Sequence, residues 1–190
     1  MGLRTLEDEF GDKLTVDWRG YMLRPQQRAT SLEKFAGYTA SWARPESMPG
    51  SPVFAYPWSS AEPPTPWSLP SGIAVKAAAR QQRFTDYHLA LMKAYFEQHR
   101  DPGSRATLVE VAVELGLDQV RFEADLDDPA LEEELQKDFA EARELGITGI
   151  PTVVVDGDVL TLPGAQDLDL YRHIVNRRLK QAQVEQGRPG

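Results

Sequence analysis

The chain has 190 residues, of which 41% are hydrophobic, with a formal net charge of −8 and a pI near 4.9. This size suits one domain with a sizeable core, or one domain with a large insertion. The acidic balance disfavours binding to nucleic acid or anionic lipid, since both need a basic patch. Cysteine is absent, which excludes disulfides, thiolate metal sites and thiol nucleophiles within these residues.

The N-terminal residues predict a helix followed by a strand. Apolar side chains from Leu3 to Phe10 follow helical spacing, and Gly11 stands where a helix commonly ends. Residues 14–18 alternate apolar and polar side chains, which is typical of a strand with one buried face. No capping residue precedes the helix, so we hypothesise that the sequence is N-terminally truncated, for example by a start codon assigned too late.

A second helix is predicted after a capping-box pattern. Thr30-x-x-Glu33 supplies the box, and apolar side chains between positions 32 and 42 lie on one helical stripe. The helix is expected to end before Pro45, because a proline disfavours helical backbone in the preceding residue. From there to Pro70 the chain is rich in proline, serine and tryptophan, which predicts a long surface loop.

Positions 71–145 have a helical pattern throughout. Thr107 and Asp128 are predicted to open two of the helices, and Gly116 and Gly146 to end them. Three stripes define the predicted buried faces: His88, Leu91, Met92, Tyr95 and Phe96; Leu108, Val111, Ala112 and Leu115; and Leu131, Leu135, Phe139 and Ala142.

The C-terminal part changes its periodicity. Thr152–Val155 predicts a short buried strand, Asp156-Gly157 a hairpin turn and Val159–Leu162 the returning strand. Asp167 is placed to cap a final helix, and a polar, frayed tail is expected after Gln181.

The most specific pattern runs from Gly146 to Gly157 and reads Gly-Ile-Thr-Gly-Ile-Pro-Thr-Val-Val-Val-Asp-Gly. Taken alone, Pro151 fits an ordinary strand-starting proline, since only about one X-Pro bond in twenty is cis. With the hairpin and the Gly-Ala-Gln turn that follow, the segment resembles the C-terminal half of a thioredoxin fold with its cis-proline. Other segments resemble the DsbA family, in particular its cytoplasmic FrnE-like members: Trp18-Arg19, Leu23-Arg24-Pro25, Pro70-Ser71, Ala94-Tyr95-Phe96 and Leu115-Gly116-Leu117-Asp118.

The resemblance implies a thioredoxin-like α/β fold and thiol–disulfide oxidoreduction. In that family a first strand leads into Cys-x-x-Cys at the start of the first helix, and the first thiolate attacks a substrate disulfide. The residue before the cis-proline and its backbone position the substrate. By this resemblance Gly149, Ile150 and Pro151 are the substrate-binding residues. No catalytic residue of the family is in the chain, and no metal or resident cofactor is expected.

The resemblance also divides the chain. Residues 1–29 and 146–182 would form the thioredoxin-like domain, residues 30–145 a mostly helical insertion, and residues 183–190 a flexible tail. The domain would lack its first strand and the start of its first helix. That strand lies between the two predicted at 14–18 and 152–155. Because strands pair at about 4.8 Å, its absence leaves a gap of about twice that, which hydrogen bonds cannot bridge.

Three functions remain open at this point. The first is a cytoplasmic DsbA-like oxidoreductase whose cysteine pair lies upstream, so that the chain as given is inactive. The second is a glutathione-dependent isomerase or transferase of the same fold, similar to 2-hydroxychromene-2-carboxylate isomerase and kappa-class glutathione transferase, with an upstream serine. The third is a non-catalytic domain that binds a peptide or partner beside Pro151. The expected partner is a protein or small-molecule thiol or disulfide, with a homodimer as a further possibility.

The histidines and clustered aspartates favour structural interpretations. His88 is expected to be packed and hydrogen-bonded, His99 to favour the dipole at a helix end, and His173 to lie on a solvated face. Their spacing matches no metal site. Three aspartates follow each other closely at positions 125, 127 and 128, and helix capping is the preferred interpretation because the calcium-loop pattern is missing.

The proline- and tryptophan-rich loop leaves one alternative open. Pro63–Pro66 is interpreted as plain loop rather than a polyproline ligand. Trp42, Trp58 and Trp67 either line a substrate groove or pack the loop onto the body of the protein, and the sequence favours neither.

Overall fold

The computed structural model describes residues 2–43, 53–155 and 160–186, which excludes Pro45 and the predicted turn at Asp156-Gly157. The chain divides into two compact units, residues 1–19 with 143–190, and residues 20–142. In chain order the described elements are α1 (Gly2–Phe10), α2 (Leu32–Thr39), α3 (Leu69–Arg80), α4 (Phe84–Phe96), α5 (Arg105–Glu114), α6 (Gln119–Leu126), α7 (Pro129–Glu144), β1 (Thr152–Val155), β2 (Leu160–Pro163) and α8 (Leu168–Gln186).

The second unit is built around an apolar core between helices α3 to α7. Tyr87 lies at its centre without solvent exposure, and its hydroxyl donates to the carbonyl of Leu108 over 2.9 Å. Burial raises the pKa of this hydroxyl, so it stays a neutral donor. Leu135 fills the space beside Gly20 and Gly72, where an added Cβ at either glycine would overlap its methyl groups. The close approach of these backbones therefore requires glycine.

A buried carboxylate links the start of this unit to α7. Asp138 is 5% exposed, accepts from the amide of Gly20 over 2.9 Å and lies 2.8 Å from the ammonium of Lys76. A buried charge is tolerated when it is paired and hydrogen-bonded in this way.

An aromatic cluster forms a second core in the same unit. Phe35, Trp42 and Trp58 are buried and meet edge to face, with ring centroids 5.1 Å apart for Phe35 and Trp58. The amide of Trp58 donates to the hydroxyl of Thr39 over 3.0 Å, and its indole N–H to the carbonyl of Glu62 over 2.9 Å. The described part of the predicted surface loop is thus packed through its tryptophan.

The first unit contains α1, the hairpin and α8. β1 and β2 pair antiparallel with Thr152 opposite Pro163 and Val155 opposite Leu160. Arg172 of α8 binds both carboxylate oxygens of Glu9 in α1, with its Nε 2.8 Å from one of them. No described helix combines the length and the apolar character needed to cross a bilayer.

Several predicted elements are confirmed. The helix at 2–10, the helix beginning at Pro129 and both strands are present. Gly11, Gly116 and Gly146 all have positive φ at helix ends, as predicted. The stripes of α5 and α7 are also confirmed, with Leu108, Val111, Ala112, Leu131 and Leu135 buried.

The strand predicted at residues 14–18 is wrong. Leu14 has extended backbone (φ −138°, ψ 128°), yet the sheet of the described residues contains β1 and β2 alone. Trp18, predicted to face the core, is 43% exposed. Alternating side chains show that a segment can be extended with one buried face. The segment forms a strand only when a neighbouring strand completes its backbone hydrogen bonds.

Several helix details also differ from the predictions. Ser31, not Thr30, caps α2 by accepting from the amide of Lys34, and Ser104 rather than Thr107 precedes α5. In α4 the predicted stripe is confirmed at Leu91, but Met92 is 39% exposed, and the buried residues Tyr87 and Ala94 were not predicted. The other corrections concern bounds: α3 begins at Leu69 rather than Ser71, α6 forms a separate helix, and α8 continues past Gln181 to Gln186.

Candidate functional site

The loop between α7 and β1 is shaped by its glycines. Gly146 has φ +71° and its amide donates to the carbonyl of Arg143 over 3.0 Å, which ends the helix in the left-handed conformation that glycine adopts without strain. Around Gly149 an added Cβ would meet nothing within 4 Å, so the loop passes through open space there.

Two hydrogen bonds hold the loop at the entrance to β1. The Thr152 hydroxyl donates to the carbonyl of Gly149 over 2.7 Å, and the Gly164 amide donates to the carbonyl of Pro151 over 2.8 Å. The Ile150–Pro151 peptide bond is cis. Thr152, the first residue of β1, was not predicted to support this loop. The tendency of threonine hydroxyls to bond nearby backbone carbonyls was the available signal.

Ile150 is the most prominent residue of the loop. Its apolar side chain is 50% exposed, and Pro151 is also exposed. No hydrogen bond joins the Ile150 backbone to the rest of the described chain. An amide and a carbonyl without internal partners at the head of a strand are suited to pair with an extended ligand.

β1 adds a second feature of the same kind. One edge of the strand pairs with β2, and within the described residues no strand pairs with the other edge. Its four residues are half-buried. The structure therefore brings Gly149, Ile150 and Pro151 together on one loop beside an edge that can accept a further strand.

This loop carries no group for redox chemistry. The chain contains no cysteine, and the Thr152 hydroxyl is already bonded to Gly149. No group of three histidine, aspartate or glutamate side chains in the described residues is arranged to hold a metal ion.

The histidines behave differently from one another. His88 is half-buried and stacks on Phe84 with ring centroids 5.9 Å apart, which confirms the predicted packing. His173 is exposed, as predicted. The prediction for His99 was wrong. This side chain is 6% exposed and bonded to Ser59 and Ala55 of the loop before α3, because the chain turns there with φ +54° and points the ring inward.

The side chains of the aspartate cluster pair with arginines, so helix capping was the wrong interpretation for Asp125 and Asp127. Asp125 and Asp128 each lie 2.6 Å from the Nη1 of Arg80, and Asp127 forms two bonds of 2.7 and 2.8 Å with Arg105. Asp128 also accepts from the amide two residues along, which confirms its predicted cap. That amide and Arg80 lower the pKa of Asp128, and Arg105 lowers that of Asp127. These charges are engaged in structure.

Two of the three tryptophans in and beside the loop before α3 are packed into the protein. Trp42 and Trp58 are 4% and 5% exposed, so the packing interpretation holds for both. Within the proline-rich stretch the Thr65 amide and hydroxyl donate to Asp101 over 2.9 and 2.7 Å. These bonds tie the stretch to the chain that follows α4, and its interpretation as plain loop stays a prediction.

The fold and this loop together define a class of protein. A helix, a hairpin entered through an Ile-Pro loop and a terminal helix, with a helical unit inserted between them, form a thioredoxin-like domain. The chain belongs to the family of DSBA-like thioredoxin domains, whose family model matches residues 71–176, more than half of the chain.

Two solved structures share the fold along nearly the whole chain. A proposed protein disulfide isomerase from Nitrosomonas europaea has a TM-score of 0.77 at 20% identity, with 95% of this chain and 89% of that chain covered. The cytosolic disulfide reductase DsbM from Pseudomonas aeruginosa, solved with GSH, has a TM-score of 0.71 at 21% identity, with 94% and 91% covered. Identities at this level show the fold alone.

One curated relative matches part of the chain. The Na(+)/H(+) antiporter NhaA of Herminiimonas arsenicoxydans is 40% identical over 84 residues, which is 44% of this chain. The match spans only 13% of the antiporter's length. The similarity therefore concerns one segment of that larger protein.

Proposed function

We propose that this chain supplies the substrate-binding part of a DsbA-like thiol–disulfide oxidoreductase, with Gly149, Ile150 and Pro151 contacting the substrate. The observation that carries the proposal is the geometry of Ile150. Its side chain is 50% exposed and its backbone has no hydrogen-bond partner in the described chain, directly before β1. A substrate segment lying extended across this position satisfies those groups and covers the isoleucine.

The chemistry of the family is a two-electron exchange. A thiolate attacks one sulfur of the substrate disulfide, a mixed disulfide forms, and a second thiol releases the substrate as a dithiol while the enzyme pair becomes oxidised. These 190 residues contain no thiol. The proposal therefore places the cysteine pair in coding sequence upstream of Met1, and this chain as given is expected to be inactive.

The proposed substrates are thiols and disulfides of the cytoplasm, either proteins or small molecules of the glutathione type. Support comes from DsbM, which is a cytosolic disulfide reductase and was solved with GSH. Leu23-Arg24-Pro25 supports placing the chain near the FrnE-like members of the family.

The first experiment reads the DNA upstream of Met1 in frame and expresses the longest product beside the 190-residue chain. We expect the longer product to carry Cys-x-x-Cys and to reduce or oxidise a model disulfide, and the shorter chain to match the rate without protein. An upstream serine in that position instead identifies a glutathione-dependent isomerase or transferase. If no extension exists and the 190 residues fold alone, the oxidoreductase proposal fails and a binding function beside Pro151 takes its place.

A second experiment tests the loop in the active longer product. Ile150→Ser is expected to raise KM for a peptide disulfide about tenfold, because the apolar contact it removes is worth about 1.4 kcal/mol. Leu170→Ser is the matched control, since Leu170 is 39% exposed on α8. Equal kinetics for the two variants would remove Ile150 from the substrate site.

A further inference from the structure

The ring of His99 joins the loop before α3 to the chain that follows α4. Its Nδ1 lies 2.9 Å from the amide nitrogen of Ser59 and its Nε2 lies 2.8 Å from the carbonyl oxygen of Ala55. The ring stacks on Trp58 with centroids 4.6 Å apart and an interplanar angle of 27°. A separate bond from the Ser60 hydroxyl to the His99 carbonyl, 2.6 Å long, strengthens the same connection.

These partners determine the protonation state of the ring. A backbone amide can only donate and a carbonyl can only accept, so Nδ1 must be the acceptor and Nε2 must carry the hydrogen. His99 is therefore neutral in this conformation. The Ser59 hydroxyl, 2.7 Å from Nδ1, donates to the neutral ring and is able to accept from a protonated one.

The Ser59–His99 pair also resembles a nucleophile with its base. The amide of Ser59 occupies the same Nδ1 lone pair as the Ser59 hydroxyl. A lone pair that is already accepting an amide hydrogen is a poor base for a serine. The arrangement is suited to holding the loop rather than to activating the hydroxyl.

We propose that His99 is an acid-sensitive clip that holds residues 55–60 when neutral and releases them when protonated. Protonation adds a hydrogen to Nδ1, so that two N–H groups, those of His99 and Ser59, face each other. It also places a positive charge on a side chain that is 6% exposed. The stack on Trp58 and a reversed bond to the Ser59 hydroxyl offset part of that cost. The Ser59 amide cannot reverse its role, so proton binding favours the open loop.

The other ionisable groups of the surrounding elements are Tyr38 of α2, Glu62 of the loop, Tyr95 of α4, and Arg100 and Asp101 beyond it. Burial raises the pKa of Tyr95, which keeps it neutral. Existing bonds engage two of the others: Arg100 binds Glu110 and Glu114, and Asp101 binds Thr65.

The test follows two NMR signals of the full chain from pH 8 to pH 5: the Ser59 amide and the Trp58 indole N–H. We expect the hydrogen-exchange protection of the Ser59 amide, corrected for intrinsic exchange, to fall with acid by up to about tenfold per pH unit, the limit for one proton. The Trp58 indole resonance should shift with the same midpoint.

His99→Asn is the decisive variant. Asparagine tolerates the left-handed backbone at this position but does not titrate, so both signals should lose their pH dependence while the circular dichroism remains that of a folded chain. His173→Gln removes an exposed histidine and should behave as the wild type. A flat wild-type profile overturns the proposal, and so does a transition that persists in His99→Asn.

Discussion

The two units of the chain bury their apolar side chains very unequally. Among the described residues, Leu6 and Tyr171 are the buried hydrophobic residues of the first unit, whereas the second unit contains all the others. The strand that leads out of the proposed binding loop is only half-buried along its length. The helical unit therefore has its own core. We expect the unit with the proposed binding loop to be the less stable of the two, since it buries fewer apolar side chains among the described residues.

The largest loss of stability is expected from Leu135→Ala in the second unit. Leu135 is 2% exposed, and its loss leaves a cavity beside Gly20 and Gly72. We expect about 3 kcal/mol of destabilisation in urea unfolding. The control Leu170→Ala, on the exposed face of α8, should cost less than about 0.5 kcal/mol.

Hydrogen exchange in the same variant tests whether the units are separate. If the amides of β1 keep their protection while those of α3 and α7 lose it, the units open independently. Equal loss in both would break the comparison and make the chain a single cooperative unit.

Gly72→Ala is expected to have a smaller effect on the free energy of unfolding, and the sign of this effect should depend on the residue at position 135. The new methyl would lie 2.5 Å from a Leu135 methyl carbon, and the overlap outweighs the gain in helix propensity of about 1 kcal/mol, so the variant should lose about 1 kcal/mol of stability. In a Leu135→Ala background the space is open, and the same change should stabilise.

Gly37→Ala is the matched control for that cycle. Gly37 lies in α2, and an added Cβ would meet nothing within 4 Å. Gly37→Ala should raise the free energy of unfolding by up to about 1 kcal/mol, with either leucine or alanine at position 135. Additive behaviour of Gly72→Ala and Leu135→Ala in urea unfolding would show that the two positions are not in contact.

The smallest effect concerns the ion pair that ties α1 to α8. Hydrogen bonds from Arg172 lower the pKa of Glu9, so this pair contributes fully above the ordinary glutamate pKa of about 4.3 and is lost as pH falls through the lower folded value. Arg172→Gln should raise the rate of amide exchange in α1 about two- to fivefold at pH 7, a small effect because the pair is exposed. The variant should also lose the increase in exchange that acid causes in the wild type, because Glu9 no longer has its partner.

Salt and a second arginine supply the controls. Raising the ionic strength should reduce the difference between wild type and Arg172→Gln, since exposed charges are screened. Arg177→Gln removes the same charge from an exposed position of α8 and should leave α1 unchanged. An equal response to both substitutions would assign the effect to net charge rather than to the Glu9 pair.

Much of the secondary structure could be predicted because its signals are local. Positive-φ glycines end helices at positions 11, 116 and 146, and Pro129 with its preceding aspartate begins α7. The residues that cap or fill a helix face were less predictable. Ser31 rather than Thr30 caps α2, and Tyr87 is buried in α4 although it was not predicted, because both outcomes depend on how each helix meets its neighbours.

The candidate site was found in the sequence as a motif, but its support was not. Gly149, Ile150 and Pro151 are adjacent in the chain, so any structure keeps them together. The bond from Gly164 to Pro151 joins the residue before the first strand of the hairpin to the residue after the second strand. Likewise, the partners of His99 lie 40 and 44 residues away, and no local pattern predicts such a contact.

The sequence by itself determined the family, the helical middle of the chain, the hairpin and the absence of a thiol, because composition, periodicity and turn residues act over a few neighbouring positions. The tertiary structure alone decided which segments could complete hydrogen bonds and which side chains lost their water. Residues 14–18 alternate like a strand but gain no ladder in the described chain, whereas His99 becomes a buried, neutral ring between two distant segments. Both outcomes depend on which partners the fold brings within bonding distance, and a single stretch of sequence does not contain that information.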